Sequence, residues 1–230
     1  MSTRRILIAA APALLAAPGL LRAQTSDPAP AATPPAETPP APQAAPEPTP
    51  PAAPAPDTRL TERSVGRTDA PLTVIEYFSL TCGHCAAFHA GTWPQVKQRL
   101  VDTGRIRMVW RDFPLDQLAL AAAVVARALP PERYEGFVSA LFASQDRWAF
   151  ARGADNVAEI AKIAAFAGLN RAGVDAALAD PILQRGILEA RLAAQRDHNV
   201  NSTPTFVFGT RVVPGGMSYE RFAELAGVRA

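Results

Sequence analysis

Thirteen of the chain's 23 prolines fall within residues 24–57, a stretch that is otherwise almost entirely alanine, threonine and glutamate. It holds no aromatic residue and no leucine, isoleucine or valine, so it has nothing to bury and cannot join a core. Residues 24–58 therefore read as a disordered Pro/Ala-rich linker of polyproline II character, a spacer with a reach on the order of 100 Å. What precedes it reads as an export signal: Arg4 and Arg5, an apolar run over residues 6–21 broken by Pro12, Pro18 and Gly19, then Ala23 before polar Gln24. A run interrupted by two prolines is short for a bilayer, which needs about 20 apolar residues. The expectation is a signal peptide over residues 1–23. Thr3-Arg4-Arg5-Ile6-Leu7 also resembles a twin-arginine signal, which leaves both the Sec and the Tat routes open. The mature protein is then expected to be periplasmic or otherwise extracytoplasmic, where disulfides persist.

Residues 59–230, roughly 170 of them, can bury a core without staples, and one folded domain is expected. Its 20 Lys and Arg against 17 Asp and Glu are spread without a basic run, so nothing asks for nucleic acid. Two cysteines, Cys82 and Cys85, exclude a disulfide-rich scaffold and a four-thiolate metal or iron–sulfur site.

Residues 72–78, rich in β-branched and aromatic side chains, read as a buried strand, and Thr81-Cys82 opens a helix in which Pro94 predicts a break. A second strand is expected over residues 105–112. Helices follow: one capped by Asp116 and stopped by Pro130-Pro131, one with Pro131 in its first turn, one over residues 155–167 with Gly168 as its stop, and one over residues 183–198. Together they make a helical insertion at about 116–184. Residues 205–213 read as a hairpin turning at Gly209-Thr210, and a last helix covers residues 218–226. The fold class is α/β, with a mixed central sheet covered by helices on both faces.

The chemistry sits in Cys82-Gly83-His84-Cys85, between a strand and a helix. Free N–H groups at a helix N-terminus favour an anion, so Cys82 should carry a depressed pKa and act as thiolate, with His84 adding a hydrogen bond or charge. A stabilised thiolate favours the dithiol and makes the disulfide oxidising. An inert structural disulfide is the competing reading, but a link within one helical turn staples almost nothing. A c-type haem site would need His after the second cysteine, where Ala86 stands, and a zinc site would need two more ligands than the pair supplies. No metal and no cofactor are expected. His89 reads as a surface or packing residue and His198 as a helix-terminal charge, and neither enters the expected site.

Val74-Ile75-Glu76-Tyr77-Phe78-Ser79 followed by Cys82-Gly83-His84-Cys85 resembles the active-site strand and helix of the DsbA family of thioredoxin-fold thiol:disulfide oxidoreductases. Arg111-Asp112-Phe113-Pro114-Leu115 resembles the end of that family's next strand, and Ser202-Thr203-Pro204-Thr205-Phe206 its cis-proline loop. The resemblance covers residues 59–230. It implies that Cys82 is the nucleophile and Cys85 the more buried resolving thiol of a redox-active disulfide. It further implies that Thr203-Pro204 is a cis peptide beside that disulfide, with the Thr203 backbone available to an extended substrate, and that Glu76 is a buried acid serving proton transfer. The dipeptide between the cysteines is Gly-His, the pair of protein disulfide isomerases, where DsbA itself carries Pro-His.

The expected activity is therefore that of an exported oxidase donating the Cys82–Cys85 disulfide to cysteine-containing extracytoplasmic proteins and reoxidised by a membrane redox partner. A reductase or isomerase of the same fold is the enzymatic alternative; with no dimerisation module upstream of Arg59, a monomer is expected. The non-enzymatic alternative is a redox-silent chaperone or adaptor using an apolar groove near Phe78, Pro204 and Val213.

Overall fold

The structure is a computed structural model and describes residues 57–153 and 155–228. The expected signal peptide, and the expected linker up to residue 56, lie outside the described residues. The sheet has five strands, β1 (Arg63–Val65), β2 (Leu72–Phe78), β3 (Ile106–Asp112), β4 (Thr205–Phe208) and β5 (Arg211–Pro214), in the spatial order β1-β3-β2-β4-β5. β2 lies at the centre. It pairs in parallel with β3, Leu72 opposite Ile106 through Phe78 opposite Asp112, and antiparallel with β4, where Glu76 faces Phe206. β1 and β5 are antiparallel edges, so the sheet is mixed, as the alternation of strand and helix patterns predicts.

Between β2 and β3 run α1 (Gly83–Gly91), α2 (Trp93–Val96) and a π-helical turn, Lys97–Val101. The predicted break falls at Thr92, because Pro94 has no N–H and so belongs in the first turn of a new helix. The insertion comprises α3 (Gln117–Ala128), α4 (Pro131–Ala143), α5 (Gln145–Trp148), α6 (Asn156–Phe166) and α7 (Arg171–Leu178). Long α8 (Pro181–His198) then returns the chain to the sheet, and α9 (Tyr219–Leu225) follows the hairpin. Asp116, Asp155, Asn170, Asp180 and Ser218 each accept a main-chain N–H at a helix start, each contributing about 1 kcal/mol. Among the described residues, no helix is long and apolar enough to cross a membrane.

Strand alternation sorts the core into two layers. Val74, Phe78, Met108, Trp110, Phe206 and Phe208 share the larger one with Phe88 of α1 and Phe222 of α9. The Phe88 and Phe206 rings approach to 4.7 Å, and the Phe208 and Phe222 rings to 5.0 Å. Tyr77, Val207, Phe113 and Ala194 of α8 form the smaller one on the opposite face.

The fold begins earlier than the sequence implies. Asp57 accepts the Arg59 main-chain N–H at 2.9 Å to start a 3-10 turn, Thr58–Leu60, and Arg59 then bridges to Asp180 at 2.7 Å. Asp57 and Thr58 thus belong to the folded unit, not to the linker. β1, α5 and α7 are elements the sequence pattern did not reveal, being only three, four and eight residues long.

Candidate active site

Cys82 occupies the N-cap position of α1, at the end of the turn that leaves β2. That turn is closed by the Cys82 N–H donating to the Ser79 carbonyl at 3.0 Å. It is held from two further directions. Thr81 Oγ1 donates to Asp116 Oδ2 at 2.7 Å, so the residue that caps α3 also binds the turn. From the insertion, Gln145 Nε2 donates to the Leu80 carbonyl at 2.7 Å and to the Cys82 carbonyl at 3.3 Å. Gln145 is a site residue that sequence reasoning missed, since a lone glutamine after a helical run carries no signal of its own.

The two cysteines are in the dithiol form, and their environments separate their acidities. The Cys85 thiol hydrogen-bonded to Cys82 is the largest influence lowering the Cys82 pKa to about 5. The Thr203 hydroxyl and the main-chain N–H groups of Cys85 and His84 add to it, against the opposing effect of burial. Cys85 has no exposed surface. Burial pushes its thiol far above the ordinary range, and its hydrogen bond to Cys82 and the charge of Glu76 push the same way. At neutral pH the pair therefore holds one proton, on Cys85, leaving Cys82 as a thiolate at a helix N-terminus.

The Thr203–Pro204 peptide bond is cis, and its loop lies against Cys82: in the thiol form Sγ donates to the Thr203 carbonyl at 3.2 Å. The Pro204 carbonyl accepts the Gly215 N–H at 2.7 Å, which ties the loop to the far end of β5. The His84 imidazole is exposed, and this residue's link to Cys82 runs through its main-chain N–H.

Glu76 is fully buried, because its position in the alternation of β2 puts it on the α1 face with Val74 and Phe78. His89 is the correction to the expected site. Of the two readings, surface or packing, it is the buried one, and it belongs beside the site: its Nε2 lies 3.1 and 3.2 Å from the two Glu76 carboxylate oxygens. Its ring packs 4.5 Å from that of Phe142. His89 stands four residues after Cys85, one helical turn on the same face, and that spacing was the signal available in the sequence. His198 instead lies near Tyr77 on the opposite face of the sheet, the ring centroids 5.9 Å apart. Phe78, expected beside an apolar groove, is in the core with its ring 5.8 Å from Phe142. Among the described residues, no group of three or more His, Cys, Asp and Glu side chains is placed to hold a metal ion.

What the arrangement supports chemically is a dithiol whose outer sulfur ionises readily and whose inner sulfur keeps its proton beside a buried carboxylate–imidazole pair. A family model described as Thioredoxin matches residues 58–226. The crystal structure of alpha-DsbA1 from Wolbachia pipientis superposes with a TM-score of 0.67 at 27% identity, covering 72% of this chain and 89% of that one. BdbD from Bacillus subtilis shares the fold with a TM-score of 0.64 at 16% identity, covering 72% of this chain and 91% of its own. A Rickettsia bellii protein named as a protein-disulfide oxidoreductase is 35% identical over 85 residues, 36% of this chain and 33% of that relative. The chain thus aligns with about a third of the length of the curated relatives it matches. With the family model spanning almost the whole described unit, the chain belongs to the thioredoxin family, in the DsbA-like form of its fold.

Proposed function

We propose that this protein is an exported thiol:disulfide oxidase that donates the Cys82–Cys85 disulfide to cysteine pairs in extracytoplasmic proteins. The observation that carries this reading is the depressed pKa of Cys82, about 5, beside a Cys85 thiol whose pKa is pushed far the other way. A thiolate stabilised only in the dithiol form makes reduction of the disulfide favourable, and hence makes the disulfide an oxidant.

In the forward reaction a substrate thiolate attacks Cys82 Sγ. The Cys82–Cys85 bond breaks, a mixed disulfide forms, and the departing Cys85 sulfur takes up a proton, as its strongly raised pKa requires. The substrate's second thiolate then attacks its own sulfur in the mixed disulfide and releases Cys82 as thiolate, a good leaving group because of its low pKa. The Thr203 backbone, beside Cys82, offers a strand-like edge to an extended substrate segment. A membrane redox partner that accepts the electrons of the dithiol completes the cycle, and the protein works as a monomer.

The test is the reduction potential of the pair against glutathione, read by alkylation of free thiols. A value from about −120 to −180 mV supports a disulfide donor, whereas one near −270 mV reassigns the protein as a reductant. A pair that does not exchange at all removes both enzymatic readings.

A further inference from the structure

We propose that Gln145 is a positioning residue for the Cys82 thiolate, through which the helical insertion helps set the redox balance of the dithiol. The inference rests on the thiol chemistry proposed above.

Gln145 comes from α5, outside the strand–helix unit that carries the cysteines, yet its amide nitrogen reaches two carbonyls of the active-site turn. The Leu80 residue is almost wholly buried, so its carbonyl needs a protein partner. The Cys82 carbonyl is the first acceptor of α1, taking the Ala86 N–H at 3.1 Å, and Gln145 shares it. Two carbonyl oxygens fix the orientation of the amide, because only its NH2 end carries donors.

The short helix that carries Gln145 is itself fastened at both ends. Gln145 is buried, the indole N–H of Trp148 in the same short helix donates to the Leu141 carbonyl at 2.7 Å, and Asn156 Nδ2 donates to the Trp148 carbonyl at 2.6 Å. α5 is thereby fastened to α4 before it and to α6 after it. The peptide planes from Leu80 to Cys82 are pinned to this rigid block, and that keeps Sγ aligned with the N–H groups of His84 and Cys85. Asp116 holds the same turn only through the Thr81 side chain. Gln145 alone of the two grips the nucleophile's own peptide.

A residue that merely stabilises the insertion would leave the ionisation of Cys82 alone, and this separates the two roles. Three variants test it: Gln145→Met, which has similar length and no donor; Gln145→Glu, which turns an acceptor toward the two carbonyls; and Gln145→Asn, which keeps the donors on a shorter arm. Asp155→Ala, which removes the cap of α6 without touching the turn, is the stability control. The readouts are the pH midpoint of iodoacetamide alkylation of the reduced protein, the reduction potential against glutathione, and the urea midpoint.

Gln145→Met should raise the alkylation midpoint by about one pH unit. It should make the disulfide less oxidising by about 30 mV, equivalent to tenfold in the equilibrium constant. Gln145→Glu should move both further in the same direction, Gln145→Asn should fall between Gln145→Met and the parent, and Asp155→Ala should lower only the urea midpoint. Gln145→Met behaving like Asp155→Ala overturns the proposal. Alkylation needs no exchange partner, so a parent protein that fails to exchange with glutathione counts against the oxidase reading, while the alkylation midpoints still decide the role of Gln145.

Discussion

His89 Nε2 lies 3.1 Å from Glu76 Oε2, joining α1 to the central strand inside the apolar layer that also contains Cys85. The two side chains come from elements packed face to face, and both are buried, Glu76 completely. A buried carboxylate without a hydrogen-bonding partner is strongly unfavourable, so the imidazole is what makes Glu76 tolerable in this layer. The charge of Glu76 acts on Cys85, which places the pair where the resolving thiol must gain or lose its proton.

Replacing the acid while keeping its shape should therefore slow exchange more than it harms the fold. Glu76→Gln is expected to lower the rate of substrate dithiol oxidation at pH 7 by about 10²-fold, the lower range for a lost general acid or base. The Cys82 alkylation midpoint should stay close to that of the parent. Stopped-flow rates with a dithiol peptide would check this, and an unchanged rate would remove Glu76 from the proton path. His89→Leu is expected to destabilise the protein by about 1–3 kcal/mol in urea unfolding, the cost of leaving a buried acceptor unmatched.

The acidity of Cys82 also predicts how stability varies with pH. Its pKa falls from an ordinary thiol value near 9 to about 5 in the fold. A depressed pKa contributes stability that is complete above the unfolded value and is lost as pH falls toward the folded one. Between about pH 5 and 9 the reduced protein should thus gain up to about 1.4 kcal/mol per pH unit relative to the oxidised protein, which has no thiol to titrate. Cys85 keeps its proton throughout that window and enters only above about pH 9, where its ionisation in the unfolded chain works the other way. Urea midpoints of the two redox forms from pH 5 to 8 measure the gap. A constant gap would mean that Cys82 is not a stabilised thiolate.

Thr203 gives a narrower test. Its hydroxyl is buried without a hydrogen-bond partner among the described residues, and the Thr203 side chain is one of the influences holding the Cys82 pKa down. Thr203→Val preserves shape and deletes the donor. The alkylation midpoint should rise, by less than the removal of a full charge partner, to a value between about 5 and 6. The disulfide should become correspondingly less oxidising, and a midpoint that stays put would assign the hydroxyl a packing role only.

How much of this could be read beforehand depended on whether local pattern or tertiary contact decided the outcome. β2 and α1 were legible because a run rich in β-branched and aromatic residues and a cysteine pair at a helix start leave few alternatives. The cap at Asp116 was legible because a short acceptor before an apolar-periodic run has one use. β1 was not, because three residues exist as a strand only by pairing with β3. Gln145 was not, because its partners lie more than sixty residues away. His89 stood between these cases. Its spacing from Cys85 placed it on the inward face, and a histidine there needs a partner, which alternation along β2 supplies in Glu76.

The Arg111-Asp112-Phe113-Pro114 segment, part of the family resemblance, turns out to include a structural residue in Asp112. Asp112 Oδ2 accepts from Arg127 Nε at 2.5 Å and Oδ1 from the Tyr134 hydroxyl at 3.0 Å, and Arg127 also donates to the Thr61 carbonyl at 2.7 Å. Arg63 and Arg127 both lie over the Tyr134 ring, 5.7 and 5.3 Å from its centre. One buried carboxylate thus fastens β3 to α3 and α4, and through Arg127 to the segment before β1. Removing only the cation strands that carboxylate, so Arg127→Met should cost about 3–5 kcal/mol in urea unfolding. Replacing both charges, Asp112→Leu with Arg127→Met, should recover much of the loss, because no unpaired charge is left behind. The alkylation midpoint of Cys82 should hold in both variants, since none of its ionisation arises from this cluster. A double variant as unstable as the single one would show that the lost hydrogen bonds to Thr61 and Tyr134, rather than the stranded charge, dominate the cost.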